Sequence, residues 1–170
     1  LASPNADLWK KSIDALVIEL ERAAALGLAG VVVHPGAFVD TSAPEGVLRI
    51  QRAIETIFGQ FQSDVTKLLI ENTAGQGSTL GRSVAELEAI FLPFAGQRLL
   101  GLCIDSCHAH AAGYDLASDD GLQRLIDELD RANLLDRLDL IHLNDSVKPC
   151  GSRVDRHAHI GAGTIGREGL

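Results

Sequence analysis

The apolar positions change period along the chain. Between Ala6 and Leu26, Leu8, Ile13, Leu16, Val17, Leu20 and Ala24 recur mostly at helical spacing, with Ser3 and Asn5 as candidate caps before them and Gly27 after. That pattern predicts an amphipathic helix with a C-terminal glycine stop. Gly30 to Val33 is a short β-branched run halted by His34-Pro35-Gly36 and predicts a buried strand. Pro44 opens a second helix with the stripe Val47, Ile50, Ile54, Ile57 and Phe61. Lys67 to Ile70 is the next strand, ending at Glu71, and a glycine-rich loop from Asn72 to Gly81 follows. Ser83 and Glu86 stand at capping-box spacing for a helix to about Leu92. Leu99 to Ile104 is a third strand ending at Asp105, followed by a loop, and Ser118 caps a helix carrying Leu122, Leu125, Ile126 and Leu129. Leu138 to Ile141 is a fourth strand ending at His142, and the tail from Asn144 to Gly166 reads as loop.

The polar residues closing the four strands stand at 34, 71, 105 and 142, at intervals of 37, 34 and 37 residues. A β/α unit repeating at that step predicts a single TIM (β/α)8 barrel domain over residues 1–170, with only about five of the eight units present. A full barrel takes roughly 250 residues or more. A doubly wound open sheet also alternates strand and helix, but no GxGxxG follows a strand here.

Composition refines this picture. The 170 residues are 46% hydrophobic and 22% charged, which excludes disorder, and no apolar run reaches the roughly 20 residues of a membrane span. Cys103, Cys107 and Cys150 form neither a CxxC pair nor an even disulfide set, so reduced thiols in a soluble, cytoplasmic protein are expected. The chain lacks Met and starts and stops in mid-phrase, which predicts a fragment. With 15 Lys and Arg against 23 Asp and Glu, the formal charge of −8 argues against a simple electrostatic nucleic-acid binder. Bound cations change that balance, since three divalent ions would offset six of the eight charges.

Catalytic groups of a parallel barrel project from the C-terminal strand ends. Here those ends present His34, Glu71, Asp105 and His142, all donors for divalent metals. Taken singly, each could be a loop cap. Converging at one mouth, the carboxylates would repel one another, and a cation would hold them at lower cost. Two loop clusters add Asp105, His108 and His110, and Asp155, His157 and His159. Cys103 and Cys107 flank Asp105 and read as buried thiols rather than ligands. Arg153 and Arg156 are candidate phosphate contacts on chemistry alone.

The strings HPG at 34–36, ENTAGQG at 71–77, CIDSCHAHAAGYDL at 103–116, HLNDS at 142–146 and GSRVDRHAHIGAGTIG at 151–166 resemble the endonuclease IV family. These are the zinc-dependent apurinic/apyrimidinic endonucleases of DNA repair. The resemblance implies a trinuclear Zn2+ site, with Mn or Fe as possible substitutes, that cuts duplex DNA 5′ to abasic sites. It implies metal ligation by His34, Glu71, Asp105, His108, His142, Asp155 and His157. In that scheme His108, Asp155 and His157 share one ion; Asp105 and His142 share a second with Glu71, which bridges to a third beside His34. Glu71 is accordingly the first catalytic candidate. Gln76 matches a glutamine that reaches into DNA beside the lesion, whereas His110 and His159 match no ligand position.

The chain departs from the family pattern in four places, one being that the early loop whose side chains wedge into the duplex at the lesion would lie outside it. A further His ligand would precede Leu1 and a further Glu ligand would follow Leu170, and Ala37-Phe38 replaces expected polar residues after HPG. The family also implies a monomer acting without a membrane. Two rival readings are a xylose-isomerase-like sugar isomerase or epimerase and an inactive zinc-binding fragment.

Overall fold

The computed structural model describes all residues from Leu1 to Leu170. Four strands, β1 (Gly30–Val33), β2 (Lys67–Glu71), β3 (Leu100–Asp105) and β4 (Leu138–His142), form one sheet in the order β1-β2-β3-β4. Every pairing is parallel. A sheet walked strictly in chain order is an arc of a barrel wall, because a doubly wound sheet reverses direction at a switch point. Helices α1 (Ala6–Ala25), α2 (Ala43–Gln60), α3 (Val84–Phe91), α4 (Ser106–Ala112) and α5 (Asp119–Arg131) accompany the strands.

Local chemistry sets the helix starts. Asn5 accepts from the Leu8 amide at α1, Ser42 and Glu45 close a reciprocal capping box at α2, and Ser118 accepts from the Gly121 amide at α5. At α3 only half of the expected box forms. Ser83 accepts from the Glu86 amide, but the Glu86 carboxylate turns back to the Gly81 and Arg82 amides and so fastens the loop before the helix.

The core lies between the sheet and its helices. Leu68 and Ile70 of β2 and Leu100, Leu102 and Ile104 of β3 face Ile13, Leu20, Ile50, Ile54 and Ile57 within one buried cluster. The opposite face belongs to the barrel interior. There Gly101 lies so close to the Asp139 carboxylate that a Cβ would stand 2.0 Å from it. Asp139 also pairs with Lys67 at 2.5 Å.

Three expectations require correction. The β1 strand is half-buried at every residue instead of buried, because it is a terminal strand with one unpaired side. Its counterpart β4 leaves Leu140 38% and Ile141 56% exposed for the same reason. The segment after Asp105 contains helix α4, so His108 and His110 are helical. Seven residues span about two turns, too few to display an apolar period. The tail contains a short antiparallel ladder of β5 (Asp145–Ser146) and β6 (His157–Ala158), paired Asp145 to Ala158 and Ser146 to His157.

Candidate metal centre

Parallel register places four polar residues at one end of the sheet. Asp105 pairs with His142 and Glu71 with Cys103, while His34 follows the last residue of β1. Glu71 is the hub. Its Oε2 lies 3.1 Å from His34 Nε2, its Oε1 lies 2.8 Å from His142 Nδ1, and His108 Nδ1 stands 3.7 Å from Oε1. A carboxylate only accepts, so both short contacts put the imidazole proton on the nitrogen facing Glu71. Burial opposes ionisation of Glu71, yet the His34 and His142 hydrogen bonds outweigh it and hold its carboxyl below the usual range. Reciprocally, the hydrogen bond to Glu71 raises the His34 pKa against the effect of burial.

Asp105 is fully buried and carries two duties. Its Oδ1 caps α4 by accepting from the His108 amide at 2.9 Å, and its Oδ2 accepts from Asn144 Nδ2 at 2.6 Å. Asn72 braces the backbone around it, accepting from the Asp105 amide at 2.6 Å and donating to its carbonyl at 3.1 Å. Ser106 completes the frame by donating to the Asn144 carbonyl at 2.7 Å. These positioning residues escape sequence reasoning, because an asparagine beside a strand end carries no spacing signal. Their adjacency to candidate ligands was the only available hint.

The tail supplies the rest. The β5/β6 ladder brings His157 Nε2 to 3.4 Å from His108 Nε2, although the two residues are 49 apart in sequence. Asp155 lies 3.1 Å from His108 Nε2 and 3.2 Å from His157 Nε2. His157 Nε2 also approaches Asp105 Oδ2 at 3.7 Å. The rings of His34, His108 and His157 follow one another at centroid distances of 5.1 and 5.3 Å. All seven sequence-predicted ligands, His34, Glu71, Asp105, His108, His142, Asp155 and His157, therefore belong to one connected network.

One detail gives the donor set its character. His108 Nδ1 stands 3.0 Å from the Asn72 carbonyl, which can only accept, so Nδ1 carries a proton and Nε2 is the nitrogen turned toward the rest of the cluster. That nitrogen faces the Asp155 carboxylate at 3.1 Å and His157 Nε2 at 3.4 Å. Nitrogens and carboxylate oxygens this close need positive charge between them, from a proton or a cation, and nitrogen with carboxylate oxygen is the donor chemistry of zinc and its first-row neighbours. The residues present fit a divalent-ion centre on these grounds.

Gln76, Arg153, Arg156, His159 and His110 fall outside the network. Gln76 is exposed in a turn closed by the Thr79 amide and hydroxyl, which both donate to its carbonyl. Arg153 and Arg156 are exposed on the tail, Arg156 donating to the Asp155 carbonyl at 2.7 Å. His159 is exposed, and His110 is buried elsewhere. The Cys103 and Cys107 thiols are fully buried beside the carboxylates. Burial, with Glu71 and Asp105 adding, pushes Cys103 up to about 12, and burial also raises Cys107, which agrees with protonated thiols.

A parallel barrel arc with carboxylates and imidazoles gathered at its C-terminal strand ends defines a TIM-barrel protein equipped to hold divalent ions. The chain belongs to the xylose isomerase-like TIM-barrel family, whose model matches residues 1–170. Its relatives bear out the resemblance read from the motifs. It is 44% identical over 168 residues to the probable endonuclease 4 of Geobacter sp. strain M21, covering 99% of this chain and 59% of that protein. Against the probable endonuclease 4 of Chloroflexus aggregans it is 45% identical with the same coverage. The solved endonuclease IV of Thermus thermophilus superposes with a TM-score of 0.80 at 40% identity, over 99% of this chain and 58% of that one. A D-tagatose 3-epimerase-like protein, 23% identical with a TM-score of 0.76 over 96% of this chain and 57% of that one, shares the fold. The chain thus spans about 59% of the length of its curated relatives. No helix is long and apolar enough to cross a membrane.

Proposed function

We propose that this chain carries most of the metal centre of a DNA-repair endonuclease that hydrolyses the phosphodiester 5′ to an abasic site in duplex DNA. The observation that carries the reading is the convergence of His108 Nε2, the Asp155 carboxylate and His157 Nε2 within 3.1–3.4 Å of one another beside the Glu71 hub. His34, Glu71, Asp105, His108, His142, Asp155 and His157 would hold the ions, zinc by donor chemistry. Such ions lower the pKa of water and neutralise charge that builds on a phosphate.

The chain's own groups have separable duties. Glu71 directs one oxygen toward His34 and the other toward His142, which suits it to serve two ions at once. Asn72 and Asp105 hold the His108 tautomer and position, so that Nε2 points into the centre. Gln76, Arg153 and Arg156 are the exposed groups available to a nucleic acid, the guanidiniums by pairing with phosphates. Hydrolysis forms a bond from water oxygen to phosphorus and breaks the bond to the 3′ oxygen. One water proton departs and the 3′ oxygen gains one, leaving a 3′-hydroxyl and a 5′-deoxyribose phosphate.

The test is incision of a duplex with a single abasic-site analogue, with and without a strong chelator. It compares the 170-residue chain with a version extended to its relatives' length. Chelator-sensitive cutting 5′ to the lesion by the extended protein is the expected result, and cutting by neither overturns the reading. In the extended protein Glu71→Gln should abolish incision while leaving the unfolding transition largely unchanged. Turnover like the wild type at saturating zinc rejects the assigned role of Glu71.

A further inference from the structure

We propose that His110, Asp115 and Cys150 form a separate site for a thiophilic divalent ion such as zinc, on the side of α4 away from the strand-end cluster. Successive helical residues are about 100° apart, so His110 points some 200° around α4 from His108. It is only 2% exposed, and its Nδ1 is a buried polar atom with no hydrogen-bond partner. The other ring nitrogen explains that orphan. His110 Nε2 stands 3.3 Å from Thr164 Oγ1, and the same hydroxyl lies 2.7 Å from the Lys148 carbonyl and 3.1 Å from that of Ser146.

Both carbonyls only accept, so the single hydroxyl proton of Thr164 points to them and its oxygen accepts from Nε2–H. The neutral ring therefore carries its lone pair on Nδ1, the ligating form, oriented from behind by a hydroxyl in the manner of outer-shell partners of metal-bound histidine. Nδ1 lies 3.9 Å from Asp115 Oδ1, and one donor atom each of His110, Asp115 and Cys150 falls within 4.8 Å of the others.

The backbone prepares this meeting. Gly151 donates to the His110 carbonyl at 3.0 Å and Arg153 to that of Ala111 at 2.9 Å, which docks the turn bearing Cys150 onto the end of α4. Gly113, with φ +115°, reverses the chain there and returns Asp115 to the same place. Zinc bonds of about 2.0–2.3 Å require the donors to close by roughly 1 Å. Asp115 and Cys150 are exposed on irregular backbone and free to make that adjustment, leaving a fourth position for water. Imidazole with thiolate selects zinc-like ions over magnesium or calcium. Filled, the site straps α4 to the turn leading into Asp155 and His157, and it stands independently of the proposed nuclease function.

The test uses the metal-free, reduced chain titrated with Co2+. The expected result is a thiolate-to-cobalt charge-transfer band in the near ultraviolet that is absent from Cys150→Ser, whose exposed position spares the core. Zinc-loaded Cys150→Ser should retain one equivalent less than the wild type by mass spectrometry. Asp115→Asn should weaken the Cys150-dependent band roughly tenfold or more in Co2+ affinity. Zinc should also protect Cys150 of the wild type from alkylation. Failure of that protection, or a cobalt band and zinc content unchanged in Cys150→Ser, overturns the proposal.

Discussion

Asp145 is fully buried at the base of the β5/β6 ladder, and replacing it with asparagine tests how the tail is held. Its Oδ1 accepts from the amides of Ser146 at 2.7 Å and Ile165 at 2.9 Å. Its Oδ2 accepts from Gly161 at 3.0 Å and Gly163 at 2.9 Å. The Gly166 amide lies 3.4 and 3.3 Å from the two oxygens. Asparagine has one acceptor oxygen, so in either orientation its amino group faces two backbone N–H donors. Each stranded buried donor costs about 1–3 kcal/mol, and the surviving bonds lose their charge assistance. Asp145→Asn should therefore destabilise the chain by about 2–5 kcal/mol at neutral pH, a large share of a typical domain's stability.

The pH dependence of Asp145 has a definite sign. Burial raises its pKa, but the amides of Gly163, Ser146, Ile165 and Gly166 outweigh burial and hold it below the ordinary 3.8. A depressed carboxyl contributes its stabilisation above the unfolded value and loses it as pH falls through the folded one. The gap between wild type and variant should therefore be full at neutral pH and shrink only below about pH 4. Urea unfolding at a series of pH values measures it. A variant within about 0.5 kcal/mol of the wild type at neutral pH, the scatter of an ordinary surface change, would refute the reasoning.

Other perturbations probe the rest of the frame. Asn72→Ala should cost about 2–4 kcal/mol in thermal unfolding by stranding the buried amide and carbonyl of Asp105, and an unchanged transition would remove its bracing role. Tyr114, the single tyrosine, donates to Glu128 at 2.6 Å and accepts from the Val84 amide; burial, then Glu128, pushes its pKa up to about 12. Phenolate absorbance should thus appear only well above pH 10.0. The stabilisation is full below that value and is lost as pH rises toward about 12. A thiol reagent should modify one of the three cysteines in the native, metal-free chain, Cys150, because Cys103 and Cys107 are fully buried. Rapid reaction of all three would show that the centre opens readily.

Much of this protein is written in local chemistry. Asn5, Ser42, Ser83 and Ser118 start helices because a short side-chain oxygen satisfies an orphan amide wherever the chain leads. The β-branched and aliphatic runs ending at 34, 71, 105 and 142 mark strands that a parallel sheet must deliver to one edge, so four candidate ligands were legible from spacing alone. Burial of β1 was not legible, because a run such as Gly30–Val33 does not say which strands will have neighbours on both sides. Helix α4 was hidden by its brevity, and its start depends on Asp105, whose carboxylate also belongs to the strand-end cluster.

The meeting of His108 with His157 across 49 residues was available to the sequence only through resemblance. Its physical cause is the β5/β6 ladder and the amides gathered by Asp145, a contact between distant segments. The tautomer of His108, set by the Asn72 carbonyl, and that of His110, set by the Thr164 hydroxyl, were likewise decided by tertiary structure. A residue's type and spacing determine which atoms it can offer. Which of those atoms carries a proton and which a free lone pair depends on partners that only the folded chain brings within hydrogen-bond reach.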